Sequence, residues 1–319
     1  MNHLKSSFEQ FLLENKYLDE PQGLFEPINY ILALKGKRFR PILLLAAYRA
    51  YDADFAQAMP AAMAIEVFHN FTLLHDDIMD EAPLRRGEMT VHKKYDPNTA
   101  ILSGDAMMIS AYQWLSKYAH LPNFSAILNT FSNTALDVCR GQQMDMDFEQ
   151  SWEVKTDDYL EMVRLKTAVL LGASLKIGAL IAGASVGDAN NFYEFGIRAG
   201  LAFQIQDDIL DSFGRVAAVG KQIGGDILQN KKTFLLVQTL AKTKDKKGLI
   251  EFMKKTADHE AKIKKVKELM IKTGALDAAD MLRDDFYEQS LELLDELHIP
   301  AEQKEFFSEL ALKMARRVF

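Results

Sequence analysis

None of the chain's eight prolines falls between Pro122 and Pro300. More than half of the sequence therefore lacks the strongest helix breaker. The same interval is rich in Ala, Leu, Lys, Glu and Met, all good helix formers. Apolar residues recur at spacings of three and four, as in Leu160, Met162, Val163, Leu165 and Val169, and again in Leu291, Leu293, Leu294 and Leu297. Strand-like alternation bounded by turn signals is nearly absent. The pattern predicts an all-α, single-domain bundle of about ten to thirteen helices. Their expected spans are about 4–16, 24–35, 39–52, 55–80, 98–119, 123–149, 156–184, 189–213, 230–242, 245–255, 258–296 and 301–317. No low-complexity linker divides them, so one domain covering residues 1–319 is the simplest organisation.

A chain of 319 residues with 48% hydrophobic and 26% charged residues has the composition of a soluble globular protein. Its net charge of −7 argues against nucleic acid as a partner and gives weight to any local basic cluster. The lone cysteine, Cys139, cannot form an internal disulfide. The opening residues lack a basic stretch followed by an apolar one, so no signal peptide is expected and the location expected is cytoplasmic. The most apolar stretch, 168–186, is interrupted by Lys176 and filled with small residues. It reads as a buried helix packed closely on its neighbours rather than a membrane span.

Against this background the same acidic pattern occurs twice. Asp76, Asp77 and Asp80 lie in LLHDDIMDE; Asp207, Asp208 and Asp211 lie in QIQDDILDS. On a helix, residues i and i+4 share a face, and like charges there repel. Carboxylates embedded in apolar helices are also costly unless compensated. Two copies of a destabilising feature point to a cation. Paired hard oxygens suit Mg²⁺, which commonly links a few carboxylates to substrate phosphates.

Several basic clusters accompany the acids. Arg85 and Arg86 follow the first motif; guanidinium groups suit diphosphate oxygens, and equally a surface ion-pair patch. GKRFRP, with Lys37 and Arg40, resembles an anion-attracting helix entry, or an exposed basic turn. His69 precedes Asp76 by two helical turns, on roughly the same face; alone it also fits a satisfied core histidine. Lys166 and Thr167 sit in an apolar helix, where a lysine needs a partner or must reach the surface. Gln204 precedes the second motif, and GKQIGGDILQNKKT follows it with Lys221 and Lys231. Each cluster has a bland reading by itself. Together they form a consistent diphosphate site.

These motifs, in this order, resemble the trans-isoprenyl diphosphate synthases (polyprenyl synthetases). The match runs from GKRFRP through HDDIMDEAPLRRG, MVRLKTAVLL and FQIQDDILD to GKQIGGDILQNKKTFLL, covering most of the chain. In GKQIGGD the lysine stands one residue further from the following Asp than in some members. The resemblance implies an isoprenoid synthase fold, with the helices around a central cavity, and a homodimer. It implies head-to-tail condensation of isopentenyl diphosphate with an allylic diphosphate (dimethylallyl, geranyl or farnesyl) by ionisation, condensation and elimination. Carried over position by position, Asp76, Asp80, Asp207 and Asp211 would bind Mg²⁺, three ions per site, with Asp77 and Asp208 supporting. Lys37, Arg40, His69 and Arg86 would hold isopentenyl diphosphate. Arg85, Lys166, Lys221 and Lys231 would hold the allylic diphosphate, and Thr167 and Gln204 would face the reacting carbons.

Phe71 and Thr72 lie five and four residues before Asp76, about 6–7.5 Å along a helix. Phe71 there could floor a short pocket, or simply pack in the core. An aromatic at this position resembles short-chain members and gives an expected C15–C20 product, with C20 favoured. Two alternatives share parts of the pattern. A class I terpene synthase normally lacks the GKRFRP grip and the second D-D-x-x-D. A non-catalytic subunit of a heteromeric synthase typically has degraded aspartate motifs, and both are complete here.

Overall fold

A computed structural model describes residues 1–214 and 224–316. The described residues are helical apart from connections and one two-stranded hairpin. Their contacts group them into two compact units: Met1–Phe131 with Ser174–Ala189, and Ser132–Ala173 with Asn190–Phe319.

The first unit contains α1 (Asn2–Glu14), α2 (Gln22–Ala33), α3 (Phe39–Arg49) and α4 (Met59–Met79). After α4 come the hairpin strands β1 (Leu84–Arg85) and β2 (Glu88–Met89), the single turn α5 (Val91–Lys94) and α6 (Pro97–Ser116). The centre of this unit is α4, which packs on α3 and α6. Its first half runs through Ala61, Ala62, Met63, Ala64, Ile65, Val67 and Phe68, all fully buried. Small side chains let its neighbours approach closely. At Gly104 of α6, a Cβ would stand 2.3 Å from the His75 ring, so any larger residue would displace that ring. Proline at the second position of α4 and the first of α6 removes an N–H that has no helical partner there anyway. Asp96 caps α6 by accepting from the Thr99 N–H.

The helices α7 (Phe124–Gln150), α9 (Val169–Ile181) and α10 (Val186–Phe213) contribute residues to both units. The apolar stretch 168–186 is a buried helix only as far as Ile181; Gly183 then turns the chain at φ +80°, and Val186 is exposed at the start of α10. Ala173, Leu175, Ile177 and Ala179 have no exposed surface, and Gly178 lies where a Cβ would stand 2.1 Å from the Leu44 carbonyl oxygen. No helix among the described residues is long and apolar enough to cross a membrane.

The second unit is completed by α8 (Thr156–Val163), α11 (Gly225–Leu228), α12 (Phe234–Lys242), α13 (Lys246–Lys255), α14 (His259–Lys272), α15 (Ala275–Asp295) and α16 (Ala301–Arg316). Thr233, Asp245 and Asp258 cap α12, α13 and α14 through their side chains. Two features differ from the expected spans. The predicted helix over 258–296 is two helices, broken at Gly274 with φ +71°, a left-handed conformation that glycine adopts without strain. The span expected at 156–184 is also not uniform: five residues, Arg164–Ala168, form a π-turn between α8 and α9. One such turn shifts the register of every later side chain, and π-turns are frequent at functional sites.

Candidate active site

The first aspartate motif occupies the last turn of its helix, whereas of the second only Asp211 lies in the final turn. Helix α4 ends at Met79, so Asp76 and Asp77 lie in its final turn and Asp80 is its C-cap. Helix α10 ends at Phe213, two residues beyond Asp211. A helix C-terminus carries about −0.5 of a charge from its free carbonyls, so acids there are opposed by the backbone as well as by each other. This placement strengthens the expectation of a bound cation.

In the first unit the three acids differ. Asp77 is 1% exposed, while Asp76 is half-buried and Asp80 exposed. The Arg85 guanidinium forks onto Asp77, with Nε at 2.9 and 3.0 Å from its two oxygens and Nη2 at 2.5 Å from Oδ1. The same Nη2 lies 3.6 Å from Asp76 Oδ2. Burial pushes the Asp77 carboxyl up, and Arg85 works against that shift. The hairpin delivers this arginine: Arg86 and Gly87 turn the chain back at φ +57° and +85°.

Of the residues expected to hold isopentenyl diphosphate, Arg40, His69 and Arg86 meet in this unit, while Lys37 Nζ lies 5.9 Å from the Phe39 ring centroid. Arg40 Nη1 lies 3.1 Å from His69 Nε2. Arg86 Nη1 donates to the Leu34 carbonyl at 3.3 Å, passing over Gly36, where a Cβ would stand 2.8 Å from it. Arg38, between Lys37 and Arg40, has a different role. It is buried, at φ +53°, paired with Glu66, and donates to the Leu32 and Leu34 carbonyls at 2.6 and 3.0 Å. It holds the basic turn in shape and consumes the buried carboxylate. Buried Arg40 Nε has no partner. Burial lowers Arg40 to about 10 and holds His69 well below its ordinary value, with Arg40, Arg86, Arg85 and Arg38 adding to the effect on His69. A neutral imidazole beside Arg40 and Arg86, whose guanidiniums make no ion pair with Asp77 or Glu66, suits an anion.

Below the first motif, Phe71 contacts Phe68 and His75 with ring centroids 5.7 and 4.7 Å apart. His75 is set by Gly104, and its Nε2 lies 3.3 Å from the Ile101 carbonyl oxygen. Thr72 donates to the His69 carbonyl, one turn back.

In the second unit Asp208 is 3% exposed, whereas Asp207 and Asp211 are half-buried. Asp208 Oδ2 accepts from the Tyr159 hydroxyl at 2.5 Å and from the Phe234 N–H at 3.0 Å, at the start of α12. Its Oδ1 accepts from Gln204 Nε2 at 3.3 Å. All three donors are neutral. Burial pushes the Asp208 carboxyl up to about 7 despite these bonds. Asp211 accepts from the Asp226 N–H at 3.0 Å.

The π-turn places Lys166 and Thr167. Lys166 Nζ lies 2.6 Å from Asp145 Oδ2 of α7, and Thr167 Oγ1 lies 3.5 Å from Gln204 Oε1. Gly141 permits this approach, because a Cβ there would meet the Lys166 backbone nitrogen at 2.4 Å. Lys231 is half-buried, while Lys232 donates to the Glu149 carbonyl and lies over the Trp152 ring. Lys221 lies outside the described residues. Sequence reasoning missed Asp145, Tyr159 and Gly141. The available signal was an acid, a phenol and a glycine on otherwise helical stretches near Lys166, with no motif of their own.

Among the described residues no three His, Cys, Asp or Glu side chains converge into a closed metal cage. Two carboxylates per motif instead leave positions for other oxygen ligands, as Mg²⁺ at phosphate sites uses. An all-helical scaffold carrying two such acid pairs with nearby cations defines a diphosphate-handling protein. The polyprenyl synthetase family model matches residues 21–270. The chain is 38% identical over 281 residues to a geranylgeranyl pyrophosphate synthase from Geoglobus acetivorans, covering 87% of this chain and 86% of that one. It is 39% identical over 251 residues to a short chain isoprenyl diphosphate synthase from Methanocaldococcus jannaschii, covering 77% and 76%. A crystal structure of a geranylgeranyl pyrophosphate synthase superposes with TM-score 0.94 at 42% identity, over 98% of each chain. The chain belongs to the polyprenyl synthetase family.

Proposed function

We propose that the chain condenses isopentenyl diphosphate head to tail with an allylic diphosphate, releasing an all-trans C15–C20 prenyl diphosphate, C20 favoured, and inorganic diphosphate. It acts as one catalytic domain. The observation that carries this reading is the i, i+4 pair of carboxylates near the C-terminal end of each of two helices, each with cations in the same unit. Relatives named geranylgeranyl pyrophosphate synthase support it. The expected working form is a cytoplasmic homodimer.

The carboxylates of Asp76, Asp80, Asp207 and Asp211 fit Mg²⁺ by their hard oxygens, and three ions per site are expected. When bound, Mg²⁺ offsets the negative charge that grows on the departing diphosphate. Arg85, Lys166, Lys221 and Lys231 hold that allylic diphosphate. Lys37, Arg40, His69 and Arg86 hold isopentenyl diphosphate so that its double bond can attack the allylic carbon; such positioning contributes much of the rate. The Gln204 carbonyl and Thr167 hydroxyl stabilise the delocalised allylic cation without trapping it. The departing diphosphate takes the final proton.

Labelled isopentenyl diphosphate incubated with geranyl or farnesyl diphosphate should give a C15–C20 product with Mg²⁺ and none after chelation. Product formation that survives chelation, or no elongation with any primer, would refute the reading. Chain length has its own test. Phe71→Ala should lengthen the product; an unchanged product would remove Phe71 as the floor.

A further inference from the structure

The Tyr159 hydroxyl is buried in the second unit and touches no residue expected to meet substrate. Its partner is Asp208, the inner acid of the second motif, at 2.5 Å. The Gln204 amide nitrogen donates to the other oxygen of Asp208, Oδ1, at 3.3 Å. The Gln204 carbonyl oxygen then points the other way, where Thr167 Oγ1 lies 3.5 Å from it. The orientation of Gln204 is therefore set by where Asp208 stands. Asp208 in turn is fixed on its far oxygen by Tyr159 and by the Phe234 N–H at 3.0 Å. The Tyr159 ring is itself held against Phe234, with centroids 6.3 Å apart.

We propose that Tyr159 is a positioning residue for the condensation: through Asp208 it turns the Gln204 carbonyl toward Thr167 and the allylic carbons. The inference rests on the functional reading above. A carbonyl oxygen stabilises a developing cation only when it is already oriented, because a freely rotating amide must be ordered at the moment of reaction. Removing the hydroxyl leaves the diphosphate grips intact. The effect belongs in turnover and not in substrate affinity.

The test is a double-mutant cycle with steady-state kinetics on the intact enzyme with Mg²⁺. Tyr159→Phe should lower kcat about tenfold and leave KM for both diphosphates within about twofold. In a Gln204→Met background the same substitution should cost less than about twofold, because the group it positions is gone. Replacing Tyr159 by p-aminophenylalanine, which restores an N–H donor at the ring end, should recover kcat to within about threefold of the parent. Equal losses in both backgrounds would show that Tyr159 acts independently of Gln204 and would overturn the proposal. So would an unchanged kcat in Tyr159→Phe, or no recovery with p-aminophenylalanine. A parent protein that fails to condense the two diphosphates would instead overturn the functional reading.

Discussion

In the first motif the inner carboxylate, Asp77, is held by the forked guanidinium of Arg85. In the second, Asp208 is held by a phenol, a backbone N–H and a primary amide. Both inner acids are buried; Asp77 lies in the final turn of its helix, whose free carbonyls oppose it, while Asp208 lies five residues before the end of its own. The first motif neutralises its inner charge; the second only solvates it, and its carboxyl rises to about 7. The difference follows the surroundings. The first unit gathers Arg38, Arg40, Arg85 and Arg86 near its motif, and a fork to Asp77 orients one of them. In the second unit Lys166 is directed to Asp145 and Lys232 to the Glu149 carbonyl, so neutral donors serve Asp208. In both motifs the inner acid is committed to the protein, and the outer acids are half-buried or exposed.

The comparison can be broken in several ways. The largest expected effect is on the outer acids, where the motifs should behave alike. Asp76→Ala and Asp207→Ala should each lower kcat by about a thousandfold or more in steady-state assays. Near-normal turnover by either would end the shared role. The inner acids should behave differently. Asp77→Asn removes the forked countercharge of Arg85, leaving only Asp76 at 3.6 Å, and should destabilise the fold by about 2–3 kcal/mol in denaturant unfolding. Asp208→Asn leaves no cation unpaired and should stay within about 1 kcal/mol of the parent. Equal losses would contradict the contrast between neutralised and solvated carboxylates.

The smallest effect concerns His69 amid the cations of the first unit. Its folded value is depressed, so below about pH 6.5 the unfolded chain binds a proton that the folded one refuses. Stability from this group is present above that pH and lost as pH falls. In the absence of substrate, melting temperature should fall between about pH 7 and 5.5, and fall less in His69→Gln. An identical slope in both proteins would remove His69 from the account.

Much of this was legible in the chain. Proline spacing and the three-four periodicity located most helices, and an acid pair at i and i+4 followed by Pro83 and Gly87 marked the end of α4. Gly274 inside a long helical pattern was the overlooked break, since glycine also occurs within helices. The two-residue strands were too short to show any alternation. The π-turn left no trace, because one added residue per turn does not disturb an apolar run. In the candidate site, the residues that sit in a motif were legible as candidates, and their partners outside any motif were not. Asp145 and Tyr159 precede their partners Lys166 and Asp208 by 21 and 49 residues. Such pairings depend on helix packing and have no local pattern. Arg38 lay inside a recognised motif yet serves Glu66, which sequence spacing alone does not separate from its neighbours Lys37 and Arg40.

The central claim is that the outer acids of each motif take the cation and the inner ones do not. It is tested most directly by counting Mn²⁺, used in place of Mg²⁺, bound in the presence of inorganic diphosphate by electron paramagnetic resonance. Asp76→Asn, Asp80→Asn and Asp207→Asn should each weaken ion binding at least about tenfold, and Asp77→Asn and Asp208→Asn should leave it within about threefold. Loss of bound Mn²⁺ in the folded inner-acid variants equal to that in the outer ones would contradict the account.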